Sequence, residues 1–309
     1  MGGVERAEDG CRPVEPALRQ RTVPLSGTHG WFRGCIRVRL SPSRFHTRVP
    51  GRLTIRTALI GGGAAGIGYA IAERLSRTHC VVITGRRAAS LETAAARLRE
   101  ATGAVVGTLV SDIAAVDAAT TMLDTMTARY TQPDVVVLNA GGPPPGRILD
   151  VADDAWRAAG ELLLLGPLRL ARLVLPAMAS RGFGRLVFVT STAVRQPQPD
   201  LATSVVLRAG VTAAAKLLSL EYAAAGVTVN CVAPGATDTQ RRRDVLASRA
   251  ERTGQPVAEL DAQDTSEVPA GRPGRPGEVA AAVAFLASAE AGYINGTVLT
   301  VDGGRTETF

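Results

Sequence analysis

Residues Gly61 to Gly68 read Gly-Gly-Gly-Ala-Ala-Gly-Ile-Gly, and no other stretch restricts the fold as tightly. They follow Thr57-Ala58-Leu59-Ile60, an apolar run short enough for a buried strand. They precede Tyr69 to Leu75, whose apolar positions recur at helical spacing. Strand, glycine turn and helix in succession are the context of a dinucleotide-binding loop. Glycine permits positive φ and lets the backbone come close to a pyrophosphate. The helix N-terminus then offers free N–H groups and the positive end of its dipole. A turn of this kind also serves simply to pack a helix on a sheet, so the rest of the chain has to choose.

From residue 53 onward, strand and helix patterns alternate. Strands are predicted at 54–60, 80–84, 105–110, 134–139, 184–190, 227–233 and 297–301. Helices are predicted near 66–77, 89–101, 116–130, 153–180, 204–225 and 276–288. Such alternation implies βαβ units, a parallel sheet and right-handed crossovers. A composition that is 46% apolar, 4% aromatic and rich in glycine suits this class better than a β-sandwich. No uninterrupted apolar run reaches the ~18 residues of a membrane span, so no membrane partner is expected. Cys11, Cys35, Cys80 and Cys231 are scattered, and His29, His46 and His79 form no ligand pattern. Neither a disulfide framework nor a metal site is implied, and the reducing cytoplasm is the natural compartment. The polar stretch 238–266 reads as a mobile lid or as small helices over a site.

The net charge of +7 raises the question of nucleic acid, and its distribution answers it. Residues 1–52 carry ten arginines against four acids, while the remainder carries 25 basic residues against 24 acidic ones. The basic excess belongs to the N-terminal segment, and no nucleic-acid partner is expected. Residues 1–50 are rich in Arg, Pro and Gly, without sustained period or secretory apolar core. They read as a disordered tail, or as upstream sequence before a true start near Val49, ahead of one domain at 51–309. The chain holds a single lysine, Lys216, against 34 arginines, so an arginine in a given place is weak evidence by itself.

Further motifs stand at the carboxyl ends of the predicted strands, where open α/β sheets bind ligands. Thr84-Gly85-Arg86-Arg87 ends the second strand. An acid there bonds the free ribose 2′-hydroxyl of NAD, whereas a guanidinium suits the 2′-phosphate of NADP, so Arg86 and Arg87 favour NADP(H). Asp112 and Ile113 follow the third strand, where Asp112 can accept from the adenine amino group. Asn139-Ala140-Gly141 follows the fourth and places small residues beside the cofactor. Pro234-Gly235, followed by Thr237, ends the sixth and faces the nicotinamide end.

Taken in order, these motifs resemble the short-chain dehydrogenase/reductase family, especially its 3-oxoacyl-carrier-protein reductase-like branch. The matching elements are Gly62-xxx-Gly66-Ile67-Gly68, Asn139-Ala140-Gly141, Gly184-Arg185-Leu186-Val187 leading to Ser191, Pro234-Gly235, Gly274-Arg275-Pro276-x-Glu278-Val279, and Tyr293-Ile294-x-Gly296 with Val301-Asp302-Gly303-Gly304. The resemblance implies one Rossmann-type, doubly wound domain with a seven-stranded parallel sheet and helices on both faces. It implies cofactor contacts from Gly62, Ala64, Gly66, Ile67, Gly68, Arg86, Arg87, Asp112, Ile113, Asn139, Ala140, Gly141, Arg208, Pro234, Gly235 and Thr237. It also implies a small-molecule substrate and assembly as a homodimer or homotetramer.

The family's catalytic set is asparagine, serine, tyrosine and lysine. Ser191 matches the serine. The tyrosine position holds Ser204, the lysine position Arg208, and the asparagine position Leu163 within Glu161-Leu162-Leu163-Leu164-Leu165. Ser204 and Arg208 are four apart, so on a helix they share a face. Ser191, Ser204 and Arg208 are therefore the candidate catalytic residues. A branch with Gly141-Gly142-Pro143-Pro144-Pro145 after Asn-Ala also tends to write serine and arginine at these positions, so that departure belongs to the branch, and Leu163 is a further one. Asp200 and Asp238 are candidate replacement acids, Asp150, Asp153 and Asp154 are expected to begin a helix, and Tyr222 should lie too far away. The expected function is NADP(H)-dependent carbonyl/alcohol oxidoreduction with an atypical site. A non-redox dehydratase, cyclase or isomerase, or a catalytically silent partner subunit, stays open as the alternative.

Overall fold

The structure, a computed structural model, describes residues 55–308. The expectations for residues 1–50 lie outside the described residues. Seven strands form one parallel sheet in the order β3-β2-β1-β4-β5-β6-β7. They are β1 (Arg56–Gly61), β2 (His79–Gly85), β3 (Val106–Val110), β4 (Val135–Leu138), β5 (Gly184–Val189), β6 (Val227–Pro234) and β7 (Val298–Val301). Each agrees with its predicted strand to within one or two residues.

Two packed layers follow from the two-residue period of a strand. Ala58 and Ile60 of β1, Val81 and Ile83 of β2, and Val135 and Val137 of β4 point to one face. There they meet Ile71 and Leu75 of α1 (Gly66–Leu75), Leu91 and Leu98 of α2 (Ala88–Thr102), and Val279, Val283 and Leu286 of α9 (Pro276–Ala287). Leu59, Val82, Val136, Leu186 and Phe188 point to the other face. They pack on Met122 and Met126 of α3 (Ala118–Arg129), Leu170 and Leu175 of α5 (Gly166–Ser180), and Val211 and Ala215 of α6 (Ala202–Tyr222). Strand order runs outward from β1 through β2 to β3 and then switches to the other side at β4, so the crevice of a doubly wound sheet opens at the carboxyl ends of β1 and β4.

The predicted helix 153–180 is interrupted. It runs as α4 (Asp153–Gly160), a π-turn at Glu161–Leu165, then α5. Pro167 has no N–H to give the Leu163 carbonyl, and the Gly166 N–H reaches back to Glu161 instead, five residues away. Gly166 then lies against the Ile113 carbonyl so closely that a Cβ would collide with it. The segments Asp153–Ser180 and Ala202–Ala225 are long and apolar enough, by length and composition, to cross a membrane. That qualifies the sequence reading, which considered only uninterrupted apolar runs. Here their apolar positions Leu170, Val174, Leu175, Met178, Val211 and Ala215 cover the sheet. The polar stretch 238–266 forms two helices, α7 (Gln240–Thr253) and α8 (Val257–Ser266).

Candidate active site

A cleft of about 410 Å³ opens at the carboxyl edge of the sheet. Its floor is the glycine loop. Gly62 and Gly66 have φ of 60° and 54°, conformations that side chains disfavour. α1 begins at Gly66, and its N-cap, Ala65, contributes no side-chain hydrogen bond. The first N–H groups of α1 therefore stay free for a ligand at the cleft. Asn139 holds the loop in place, its Nδ2 donating to the Gly61 carbonyl at 3.0 Å. Gly68 packs behind the loop: a Cβ there would run into the Gly62 carbonyl and come within 2.8 Å of Asn139 Nδ2. This backbone cradle, uncapped and free of acidic side chains in the first helical turn, fits a dinucleotide pyrophosphate.

Of the predicted cofactor residues, Gly62, Gly66, Ile67, Asn139, Ala140, Gly141, Arg208, Pro234, Gly235 and Thr237 line the cleft. Ala64 turns inward onto the core, and Ala65 takes its place at the cleft. Arg86 and Arg87 are exposed beyond β2, outside this cleft, and their side chains make no hydrogen bond or ion pair among the described residues. Asp112 is also exposed and accepts from the Ala114 N–H at 3.2 Å, a local turn, while Ile113 packs against the second core layer.

The candidate catalytic side chains converge. Ser191 follows β5 and caps a short 3-10 turn, Thr192–Val194, accepting from the Ala193 N–H at 3.1 Å. Ser204 and Arg208 lie one turn apart on α6, facing the cleft with Ser191. Helix α6 starts at Ala202 with Leu201 as N-cap, so Ser204 is inside the helix rather than capping it. Arg208 Nε donates to Ser204 Oγ at 3.2 Å, and its Nη1 donates to the Val189 carbonyl at 2.6 Å. Burial, together with the nearby Arg241 charge, pulls the Arg208 guanidinium down to about 10. It remains a cation at neutral pH, and its Nε–H leaves the Ser204 hydroxyl proton free to point into the cleft.

Other predicted residues fall elsewhere. Leu163 is buried in the π-turn, and none of residues 161–165 lines the cleft. Asp200 is bound by Arg249 Nε at 2.6 Å and Nη2 at 3.1 Å, and by Arg252 at 3.1 Å. Burial pushes its carboxyl up, but the hydrogen bonds and charges of these two arginines outweigh that and hold it below the usual range. It is a poor replacement acid. Asp238 pairs with Arg243 at the surface. Asp153 and Asp154 begin α4, as expected, whereas Asp150 precedes it. Tyr222 closes α6, 18 residues past Ser204 and so about 27 Å along the axis.

The stretch 238–266 forms the roof that its sequence led us to expect, as α7 and α8, but sequence reasoning singled out none of the side chains it turns to the cleft. Gln198, Leu201, Val245 and Leu246 line the cleft, with Arg241, Arg242, Arg249 and Arg305. Thr239 caps α7 by accepting from the Arg242 N–H at 3.3 Å. Arg242 bonds Asp261 and Asp264 of α8, and Arg305 of the C-terminal tail bonds Asp264 and Glu267. These ion pairs tie the roof together across three segments.

Fold and cleft together define a dinucleotide-binding α/β protein. The chain belongs to the short-chain dehydrogenase/reductase family. Residues 62–306 match the family described as enoyl-(acyl carrier protein) reductase. It is 35% identical over 254 residues to the cis-4-hydroxycyclohexanecarboxylate dehydrogenase of Sinomonas cyclohexanicum, covering 81% of this chain and 96% of that protein. It is 33% identical over 249 residues to a 3-oxoacyl-(acyl-carrier-protein) reductase of Salmonella typhimurium, with the same coverage. Among solved structures, an actinorhodin polyketide ketoreductase variant with NADPH superposes with a TM-score of 0.79 at 33% identity, covering 82% of this chain and 98% of that one.

Proposed function

We propose that this protein is an NADP(H)-dependent oxidoreductase that reduces a carbonyl, or oxidises the corresponding alcohol, on a small molecule. The observation that carries this reading is the convergence of Ser191, Ser204 and Arg208 in one cleft with an intact glycine loop. NADP rather than NAD is favoured by Arg86 and Arg87, whose guanidinium forks have no partner among the described residues and stand where an acid would select the unphosphorylated ribose. The ketoreductase noted above is a structure with NADPH, which supports the same choice.

When bound, the cofactor supplies or accepts the hydride. The chain's own residues hold the carbonyl and manage its charge. Ser191 and Ser204 donate hydrogen bonds to the carbonyl oxygen, and Arg208 offsets the negative charge that develops there. A serine hydroxyl is a far weaker acid than a tyrosine, so the proton comes from solvent relayed over Ser204. Loss of a positioned acid/base costs about 10²–10⁴ in rate, and turnover is expected to be slow for the family. The atypical site is therefore a working one with a reduced rate. We further place the protein in the cytoplasm, as an oligomer joined through α5 and α6, whose Leu217 and Leu220 stand 61% and 66% exposed.

The test is purified protein with NADPH and a panel of ketones and aldehydes, followed by the nicotinamide absorbance. Carbonyl-dependent loss of NADPH supports the reading. NADPH bound without turnover on any member of the panel refutes it. Ser204→Tyr combined with Arg208→Lys is expected to raise turnover, because it restores the stronger acid and its cation.

A further inference from the structure

Five arginines among the described residues line the cleft, and three of them are neutralised. Arg242 pairs with Asp261 and Asp264, Arg249 with Asp200, and Arg305 with Asp264 and Glu267. The other two, Arg208 and Arg241, make no ion pair among the described residues. Arg208 bonds Ser204 and main-chain carbonyls. Arg241 donates to the Pro143 carbonyl at 2.6 Å, with its guanidinium resting on Gly142. Both are desolvated, which lowers each from its ordinary value, and Asp244 on the outer side of α7 only partly restores Arg241. Two half-buried guanidiniums in one cleft, without a counter-charge, are costly unless an anion joins them.

We propose that Arg241 binds a carboxylate on the substrate, leaving Arg208 to the carbonyl oxygen beside Ser204, so that the substrate class is small oxo or hydroxy carboxylic acids with an apolar body. This rests on the oxidoreductase reading above and specifies its substrate. The apolar body packs on Leu201, Val245 and Leu246, which line the same cleft beside Arg241. The contacts of Arg241 favour the substrate over the cofactor as the source of the anion. Arg241 is anchored to the Gly142-Pro143 segment beyond β4, and its charge reaches Arg208, which bonds Ser204. The phosphate cradle at Gly62 to Gly66 already has its own donors in the first turn of α1. A free acid is therefore preferred over a thioester or ester of the same body, because only the acid supplies the missing charge.

The experiment titrates 4-oxocyclohexanecarboxylate and its methyl ester, by calorimetry, into protein saturated with NADP⁺, a complex that cannot transfer hydride to a ketone. The acid is expected to bind about ten- to a hundred-fold more tightly than the ester, the contribution of a charged hydrogen-bonded pair. Arg241→Gln is expected to bring the two to near parity while leaving NADP⁺ affinity unchanged, and Arg241→Lys to keep part of the preference. Equal binding of acid and ester by the unaltered protein overturns the proposal. So does a loss of NADP⁺ affinity in Arg241→Gln with the acid preference preserved, which would assign Arg241 to the cofactor phosphates. If the unaltered protein binds no NADP⁺, the oxidoreductase reading fails instead. The same titration without cofactor then decides the role of Arg241 by itself, selectivity for the acid supporting it and parity overturning it.

Discussion

Asp200 joins the segment before α6 to the roof helix α7, and replacing it by asparagine tests that role. Its carboxylate accepts a two-pronged pair from Arg249 at 2.6 and 3.1 Å and a third bond from Arg252 at 3.1 Å. The Asp200 and Arg249 side chains are 11% and 19% exposed, so this pair lies between a surface bridge, about 0–1 kcal/mol, and a fully buried one, about 3–5 kcal/mol when broken. Arg252 is 42% exposed and adds little. Asp200→Asn keeps one acceptor but removes the charge, so the expected loss is about 2 kcal/mol, or roughly 4–8 °C in Tm. The effect depends on pH with a fixed sign. Because the arginines hold the folded carboxyl below its unfolded value, near 3.9, the stabilisation is complete above that pH. It is lost as pH falls through the lower folded value. Wild type and Asp200→Asn should therefore differ by a constant amount near neutrality and converge in acid. Denaturant unfolding at several pH values, with a double-mutant cycle against Arg249→Met, reads this directly. A coupling under about 0.5 kcal/mol would refute the clamp. Abolished turnover at unchanged stability would restore Asp200 as an acid/base candidate.

Replacing Arg86 and Arg87 together by serine should weaken NADPH binding about ten- to a hundred-fold and leave NADH unchanged, as read by fluorescence titration of each nucleotide. Gly68→Ala forces its Cβ against the Gly62 carbonyl and Asn139. It should cost about 1–3 kcal/mol of stability, with a larger fractional loss of cofactor affinity, measured by thermal unfolding with and without NADPH. Burial pushes the Cys231 thiol up to about 12 and the half-buried Cys80 thiol up as well. Mass-mapped alkylation at mildly alkaline pH should therefore label Cys80 slowly and leave Cys231 untouched until the protein unfolds.

Much of the fold was legible because it is written in periodicity. Val135 to Leu138 and Leu186 to Val189 are continuous apolar runs, the signature of strands buried on both faces. Gly62 and Gly66 were legible because only glycine tolerates their φ values at that turn. The π-turn at Glu161–Leu165 was not, although its cause stands in the sequence as Gly166-Pro167. A proline just inside a helix reads equally well as a start, and the run of leucines around it carries an unbroken helical pattern. Ala64 and Ala65 show the same limit: a motif fixes the turn, but which of two adjacent alanines faces the ligand depends on where the core lies.

That 238–266 covers the cleft was legible in its length and polarity, but which of its arginines faces the cleft was not, for a compositional reason. With 34 arginines in the chain, Arg241, Arg242 and Arg243 look alike, and spacing alone cannot separate them. Folding does. Arg242 turns to the α8 acids, Arg243 to Asp238 at the surface, and Arg241 to the Pro143 carbonyl at the cleft. The helix sends consecutive side chains about 100° apart, so three identical residues acquire three partners. Acids at fixed places in the fold neutralise two of them, and what distinguishes Arg241 is the carboxylate it lacks.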